Sequence, residues 1–115
     1  DNHSNEVYRT EGTEMRRWLK ENSRGDTFVL CGDRHWQYHS IEPATGVHEF
    51  GCGAASDSHA SGTPGEDKRY HQFHRVKGGF LAIKVQPDGN TSKLTIEHRD
   101  VQGSAVYGKT FERRV

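Results

Sequence analysis

The sequence has 115 residues, with 16 Lys or Arg and 16 Asp or Glu, so its formal net charge at pH 7 is zero. This length suits one small domain, and a neutral chain has no general field that would attract nucleic acid or an anionic membrane. Only 30% of the residues are hydrophobic. That content favours a loop-rich domain or a portion of a larger one. No run of about 18 apolar residues exists, so no membrane-spanning helix is predicted.

The first predicted element is a helix near residues 13–23, which could begin as early as Tyr8. Met15 and Trp18 stand at helical spacing, and we expect both side chains to lie in the core. The segment 23–26 ends the helix, because it combines Ser, Gly and Asp.

Short strands are predicted after the helix. The apolar run 27–31 suits a strand that is covered on both faces. Further strands are expected over residues 35–41, 47–50 and 70–76. A turn separates the first two, and a long loop without periodicity, at 51–67, precedes the third.

The last third of the chain alternates apolar and polar residues from Leu81 to Phe111, with turns at 87–90 and 100–103. This pattern predicts a three-stranded antiparallel meander. The predicted fold class is therefore α+β, with one N-terminal helix followed by mostly antiparallel strands.

Gly32-Asp33-Arg34-His35 follows the first predicted strand, at the kind of sheet edge where ligand sites are common. We expect Gly32 to allow a sharp turn there. An Asp-x-His pair in such a turn can direct an oxygen and a nitrogen into a shared cleft, toward one cation or two. Alternatively, the aspartate bonds its own backbone beside an incidental histidine.

With its flanks, this stretch (VLCGDRHWQYHS) resembles the last metal-binding block of the alkaline phosphatase D-like (PhoD-like) metallophosphoesterases, a branch of the calcineurin-like superfamily. That branch has a strand followed by Gly-Asp-x-His. The resemblance extends over most of the chain, through a helix at 8–19, a small-residue loop at 49–56 and terminal strands from residue 74, although only the Gly-Asp-x-His block is chemically specific.

The resemblance implies a metal-dependent phosphoric ester hydrolase, in which Asp33 and His35 are metal ligands and catalytic residues. Arg34 would help to hold the phosphate, or else face solvent as a turn residue. Asp1 and His3 would lie toward the substrate, or else belong to a frayed terminus. Two metal ions are implied, either iron with calcium or ions such as manganese and zinc, and the localisation stays open, although the branch is often exported.

One departure from the family concerns its other ligands. The family draws those ligands from a series of earlier blocks, an Asp-x-His or Cys-x-Asp, a Gly-Asp and a Gly-Asn, and residues 1–31 do not contain this series. We therefore expect residues 1–115 to be the C-terminal portion of such an enzyme. Its partners would be a phosphate-ester substrate and the remaining N-terminal part of the enzyme. The isolated chain would also associate with itself through apolar surface that this missing part would cover.

Other candidate residues receive simpler interpretations. Cys31 ends an apolar run and behaves there as a small hydrophobe, and Cys52 has no evident partner base for catalysis. His71 and His74 should point to opposite faces of a strand, which argues against chelation by that pair. Gly51-x-Gly53 is either an anion cradle or, more commonly, a small-residue loop that packs beneath a site.

Two other functions remain open from the residues alone. One is a non-catalytic β-rich module that binds a partner through the His- and Gly-rich loop. The other is a mononuclear metal-binding protein that uses surface histidines, of which the chain could supply several from its total of eight.

Overall fold

The computed structural model describes residues 6–24 and 26–114. It confirms the predicted α+β class, with one long helix followed by seven strands in two sheets. The elements are α1 (Arg9–Asn22), β1 (Phe28–Cys31), β2 (Gln37–Ile41), β3 (His48–Cys52), a short 3₁₀ helix (Asp57–His59), β4 (His71–Arg75), β5 (Phe80–Asp88), β6 (Thr91–Arg99) and β7 (Ala105–Arg114).

The first sheet has the order β1-β3-β2-β4, and the second has the order β5-β6-β7. All pairs are antiparallel except β1 with β3, which run parallel. The predicted meander is confirmed as the second sheet. Its first turn needs only two residues between β5 and β6, and Gly89 supplies the positive φ of 58° that such a tight hairpin requires.

The helix α1 begins close to the earlier of the two predicted starts and ends as expected. Ser23 leaves the helical conformation, and its backbone N–H donates to the Leu19 carbonyl at 3.1 Å. The prediction that Met15 and Trp18 lie in the core is wrong, because each is 62% exposed. No residue of this helix is buried, so its apolar side is open to solvent.

The strand β1 is also more exposed than expected. It lies at the edge of the first sheet, and Leu30 within it is 48% exposed. The expectation of a strand covered on both faces is therefore wrong. A short, continuous apolar run does not distinguish a central strand from an edge strand. Only alternation of apolar and polar residues shows which face of a strand is buried.

The core between the two sheets is built from aromatic rings and imidazoles. His39 stacks on Phe50 at a centroid distance of 4.0 Å, and Phe73 stacks on Tyr107 across the sheets at 4.6 Å. Phe28 and Phe111 make a tilted contact at 4.5 Å. Histidines thus occupy positions that aliphatic side chains usually fill, which explains how a chain of low hydrophobic content covers its sheets.

Gln37 joins the two sheets at the start of β2. Its side chain is fully buried, its amide nitrogen donates to the Arg99 carbonyl at 2.9 Å, and its amide oxygen accepts from Arg75 at 2.7 Å. Both ends of a buried amide are therefore satisfied, as stability requires.

The segment 53–70 is largely irregular, as expected, apart from the short 3₁₀ helix. Within residues 6–24 and 26–114, no helix has the length and apolar character that a bilayer span requires.

Candidate functional site

The Gly32-Asp33-Arg34-His35 segment forms a tight turn directly after β1. The Arg34 backbone N–H donates to the Gly32 carbonyl at 2.8 Å, which closes a three-residue turn around Asp33. Asp33 has φ of 66°, and it is the one non-glycine residue with positive φ in the described part of the chain. The sharp turn was expected at Gly32, and this expectation is wrong because Asp33 adopts the left-handed conformation instead.

A left-handed aspartate in a tight turn carries backbone strain, which tends to be kept where a side chain has a task. The side chains of Asp33 and His35 are both exposed, so both are accessible to a cation. Asp33 borders a groove beside α1, whereas His35 does not belong to the lining of that groove. Among the described residues, the structure therefore does not place the two side chains in one groove, contrary to the shared cleft that the sequence suggested.

The groove lies between α1 and the first sheet and has a volume of about 360 Å³. Apolar side chains of the helix form one wall, and the end of β1 forms the other. The residues that line it are Tyr8, Gly12, Met15, Arg16, Leu19, Val29, Cys31, Gly32, Asp33, Arg34, Tyr38 and Glu49.

Three polar groups meet on the floor of the groove. The Tyr38 hydroxyl donates to Glu49 Oε1 at 2.5 Å and lies 3.0 Å from the Cys31 sulfur. Burial raises the pKa of the Tyr38 hydroxyl and of the Cys31 thiol. Burial alone would also raise the pKa of Glu49, but hydrogen bonds, including those from Tyr38 and Cys31, help to hold it below its ordinary value. Cys31 is therefore a protonated thiol, which agrees with its interpretation as a small hydrophobe rather than a nucleophile.

Arg34 is held at the mouth of the groove by an aromatic contact. Its guanidinium carbon lies 6.0 Å from the centroid of the Trp36 ring, at the outer limit of a cation–π interaction. The side chain is half-buried, so Arg34 is more fixed than a solvent-facing turn residue. A phosphate contact by Arg34 stays a prediction.

His71 and His74 lie side by side, with ring centroids 5.1 Å apart. The expectation that they point to opposite faces is wrong. The pairing of β4 with β2 shifts register between His39 and Ser40, so one extra residue is inserted into β4 between the two histidines. This bulge changes the alternation and brings both rings to one side.

Both of these histidines anchor the irregular segment rather than each other. His71 Nδ1 accepts the Asp67 backbone N–H at 2.8 Å, and His74 Nε2 lies 2.7 Å from the Thr63 hydroxyl. Burial lowers the pKa of both imidazoles, which favours the neutral forms that can accept these bonds.

The donor set for a metal ion is partial. Asp33 and His35 supply one oxygen and one nitrogen, which are ligand types suited to iron, manganese or zinc. In the part of the chain that the structure describes, no group of three or more His, Cys, Asp or Glu side chains is placed to hold a metal ion. The pair therefore fits as part of a centre and does not by itself form one.

The remaining predicted residues separate into two groups. Asp1 and His3 lie outside the described residues. Gly51 and Gly53 pack beneath side chains, since a Cβ on Gly51 would overlap the Tyr38 ring and one on Gly53 would lie 2.7 Å from Gln37 Cγ. This geometry favours the packing explanation over an anion cradle.

Sequence reasoning missed Tyr38 and Glu49 as parts of the groove. In register, Cys31 pairs with Gly51, and Gly51 pairs with Tyr38, so the three form one row across the sheet. A glycine paired with a large aromatic residue is the signal that could have placed the Tyr38 ring over β3 and toward Cys31. It becomes readable only when the strand register is known.

No protein-family model matches the chain, and no curated protein matches it significantly. The resemblance to the alkaline phosphatase D-like enzymes therefore rests on the motif and on the order of the predicted elements.

Proposed function

We propose that this chain supplies the last metal-binding block, Gly32-Asp33-Arg34-His35, of a metal-dependent phosphoric ester hydrolase. The observation that carries the proposal is the conformation of Asp33. Its backbone is held at φ of 66° by the turn at the end of β1, and its side chain is exposed at the border of a groove. Backbone strain is concentrated at functional sites, and the ends of strands at a sheet edge are common positions for ligands.

The residues of this block have separate tasks in the proposed reaction. The Asp33 carboxylate would hold a cation and offset part of its charge, and His35 would supply a neutral nitrogen. Arg34 would orient the phosphate, because a guanidinium group matches phosphate geometry. When bound, a pair of metal ions supplies an acidified water and charge stabilisation of the phosphate oxygens.

A centre of two cations needs more ligands than Asp33 and His35 provide. We propose that the other ligands come from a separate part of the complete enzyme. This arrangement would also account for the open apolar side of α1, on which Met15 and Trp18 are exposed. A mononuclear site within this chain is less well supported, since the described residues do not bring three donors together.

The test compares Asp33→Asn and His35→Ala in the complete enzyme, with metal content and turnover of a chromogenic phosphate ester as the two measurements. Asp33→Asn keeps the shape of the side chain and removes its charge, whereas His35→Ala removes a ligand. We expect each variant to lose turnover by orders of magnitude and to bind less metal, with the fold retained because both side chains are exposed.

His59→Ala is the matched control, because His59 is an exposed histidine of the 3₁₀ helix outside the block. It should keep metal content and turnover near those of the unmodified enzyme. Full metal occupancy together with near-normal turnover in both the Asp33 and His35 variants would rule the proposal out.

A further inference from the structure

A continuous chain of hydrogen bonds crosses the interface between the two sheets. The Tyr107 hydroxyl on β7 lies 2.8 Å from His39 Nδ1 on β2, and His39 Nε2 lies 2.9 Å from His48 Nδ1 on β3. His39 is fully buried and stacks on Phe50. Both nitrogens of a fully buried imidazole are thus engaged, one toward each sheet.

The geometry of this hydrogen-bonded chain restricts how many protons its two imidazoles can carry. A neutral imidazole has one donor and one acceptor nitrogen. In one arrangement Tyr107 donates to His39 Nδ1 and His39 Nε2 donates to His48. In the reverse arrangement His48 Nδ1 donates to His39 Nε2, and His39 Nδ1 donates to Tyr107. Either arrangement places one proton between the two imidazoles.

Protonation of both imidazoles breaks this arrangement. His39 Nε2–H and His48 Nδ1–H would then face each other at the observed separation of 2.9 Å, so a hydrogen bond would be replaced by repulsion between two cations. The buried charge on His39 would also lose its hydration without a carboxylate partner, which is costly.

The charged surroundings add to this effect. His48 and His98 face His39 from β3 and β6, and Lys109 faces it from β7. Lys109 also acts on His48, where Asp26 opposes it. Burial and these neighbours lower the pKa of His39 to about 3, and burial followed by Lys109 lowers that of His48.

We propose that the Tyr107–His39–His48 chain is a pH-sensitive latch between the two sheets, at full strength at neutral pH and weakened in mild acid, because the imidazoles take up protons when it is released. The folded form resists protonation, whereas a released histidine has an ordinary pKa of about 6.5. The released form therefore binds more protons, and the latch has its full stabilising effect above that pH. Below pH 6.5, each proton that the released form takes up raises the equilibrium constant for release by about tenfold per pH unit.

The test measures the unfolding equilibrium by urea titration at several pH values between 7.5 and 5, for the full chain and for His39→Gln. The amide of glutamine can accept from Tyr107 and donate to His48, but it does not titrate. Below pH 6, the unfolding constant of His39→Gln should rise less steeply with acid than that of the unmodified chain. The difference should be about tenfold per pH unit, which corresponds to one proton. The exposed-histidine variant His59→Gln should keep the full pH dependence.

An unchanged pH dependence in a folded His39→Gln protein would overturn the proposal. If that variant fails to fold, nitrogen NMR of the unmodified protein gives the answer. We expect the His39 ring to stay neutral at pH 5 in the folded protein. A His39 ring that becomes charged near pH 6.5 while the protein remains folded would contradict the latch.

Discussion

Tyr38 packs its ring directly over the backbone of Gly51, its partner in the antiparallel register of β2 and β3. A Cβ on Gly51 would overlap three atoms of that ring. Tyr38 is almost fully buried and holds the hydrogen bond to Glu49. The position of this ring, and with it the floor of the groove, therefore depends on the absence of a side chain at residue 51.

Gly51→Ala should destabilise the protein by about 3 kcal/mol, since a buried ring must move to admit a methyl group. The matched control is Gly108→Ala on β7, where an added Cβ would make only ordinary van der Waals contacts, with Glu97 and the Ile96 carbonyl. That change should be neutral or slightly stabilising, because alanine loses less backbone freedom on folding. Urea unfolding of both variants measures the difference, and equal stabilities would contradict the packing argument.

Mild acid should destabilise the whole protein through several histidines. Burial lowers the folded-state pKa of five imidazoles, those of His39, His48, His71, His74 and His98. The unfolded chain therefore binds more protons below about pH 6.5, and stability is lost as the pH falls through that value. We expect net uptake of more than one proton on unfolding between pH 6.5 and 5, whereas a flat profile over this range would contradict these environments.

A second loss of stability should follow at lower pH. A hydrogen bond from Arg69 lowers the pKa of Asp67 to about 2. The contribution of this ion pair to stability is fully present above the pKa of Asp67 in the unfolded chain, about 4, and is lost as the pH falls toward 2. The Asp67 backbone N–H also donates to His71 Nδ1. Protection of that amide from hydrogen exchange, relative to its intrinsic exchange rate at each pH, should therefore fall first in the range where His71 becomes protonated. Exchange that changes only below pH 4 would exclude a role for His71.

The exposed apolar side of α1 should make the isolated chain associate with itself. Tyr8, Met15 and Trp18 are each more than 60% exposed, and apolar side chains that lie together on one surface favour contacts that remove them from water. We expect Trp18→Lys to reduce the apparent mass in light scattering at high concentration. Val101→Lys, an exposed apolar position outside the helix, is the control. A clean monomer for the unmodified chain would contradict the prediction.

Much of the fold could be predicted from local patterns. The helix, the meander and the long irregular segment are readable because periodicity, turn residues and glycines act over a few neighbouring positions. The edge position of β1 and the bulge in β4 were not predictable in this way, because both depend on which strand pairs with which. His71 and His74 illustrate the consequence, since one inserted residue reverses the expected direction of a side chain.

The candidate site was only partly predictable for the same reason. The sequence predicted a sharp turn after β1 but assigned it to Gly32. The structure has the positive φ at Asp33 instead, a conformation that aspartate tolerates better than most residues. The count of eight histidines left a metal-binding protein open, but His39, His48 and His98 pack among aromatic rings between the sheets. Histidine count cannot separate a metal ligand from a core residue, because an imidazole can stack on a ring as well as bind a cation.

The isolated 115-residue chain should show little or no phosphatase activity, even with added manganese, zinc, iron or calcium. Asp33 and His35 provide two ligands, and two cations that share a phosphate need several more. The measurement is turnover of a chromogenic phosphate ester over a range of metal concentrations. Robust metal-dependent turnover by this chain alone would show that it contains a complete site.

The structural and functional tasks of Asp33 can be separated with two substitutions. Asparagine tolerates a φ of 66° about as well as aspartate does, so Asp33→Asn should change the free energy of unfolding by less than about 0.5 kcal/mol. Valine is β-branched and strongly disfavours this conformation, so Asp33→Val should cost about 1–2 kcal/mol. If the carboxylate is a ligand, both variants of the complete enzyme should nevertheless lose metal to a similar extent. Loss of metal in the valine variant alone would assign Asp33 to the turn and remove it from the metal centre.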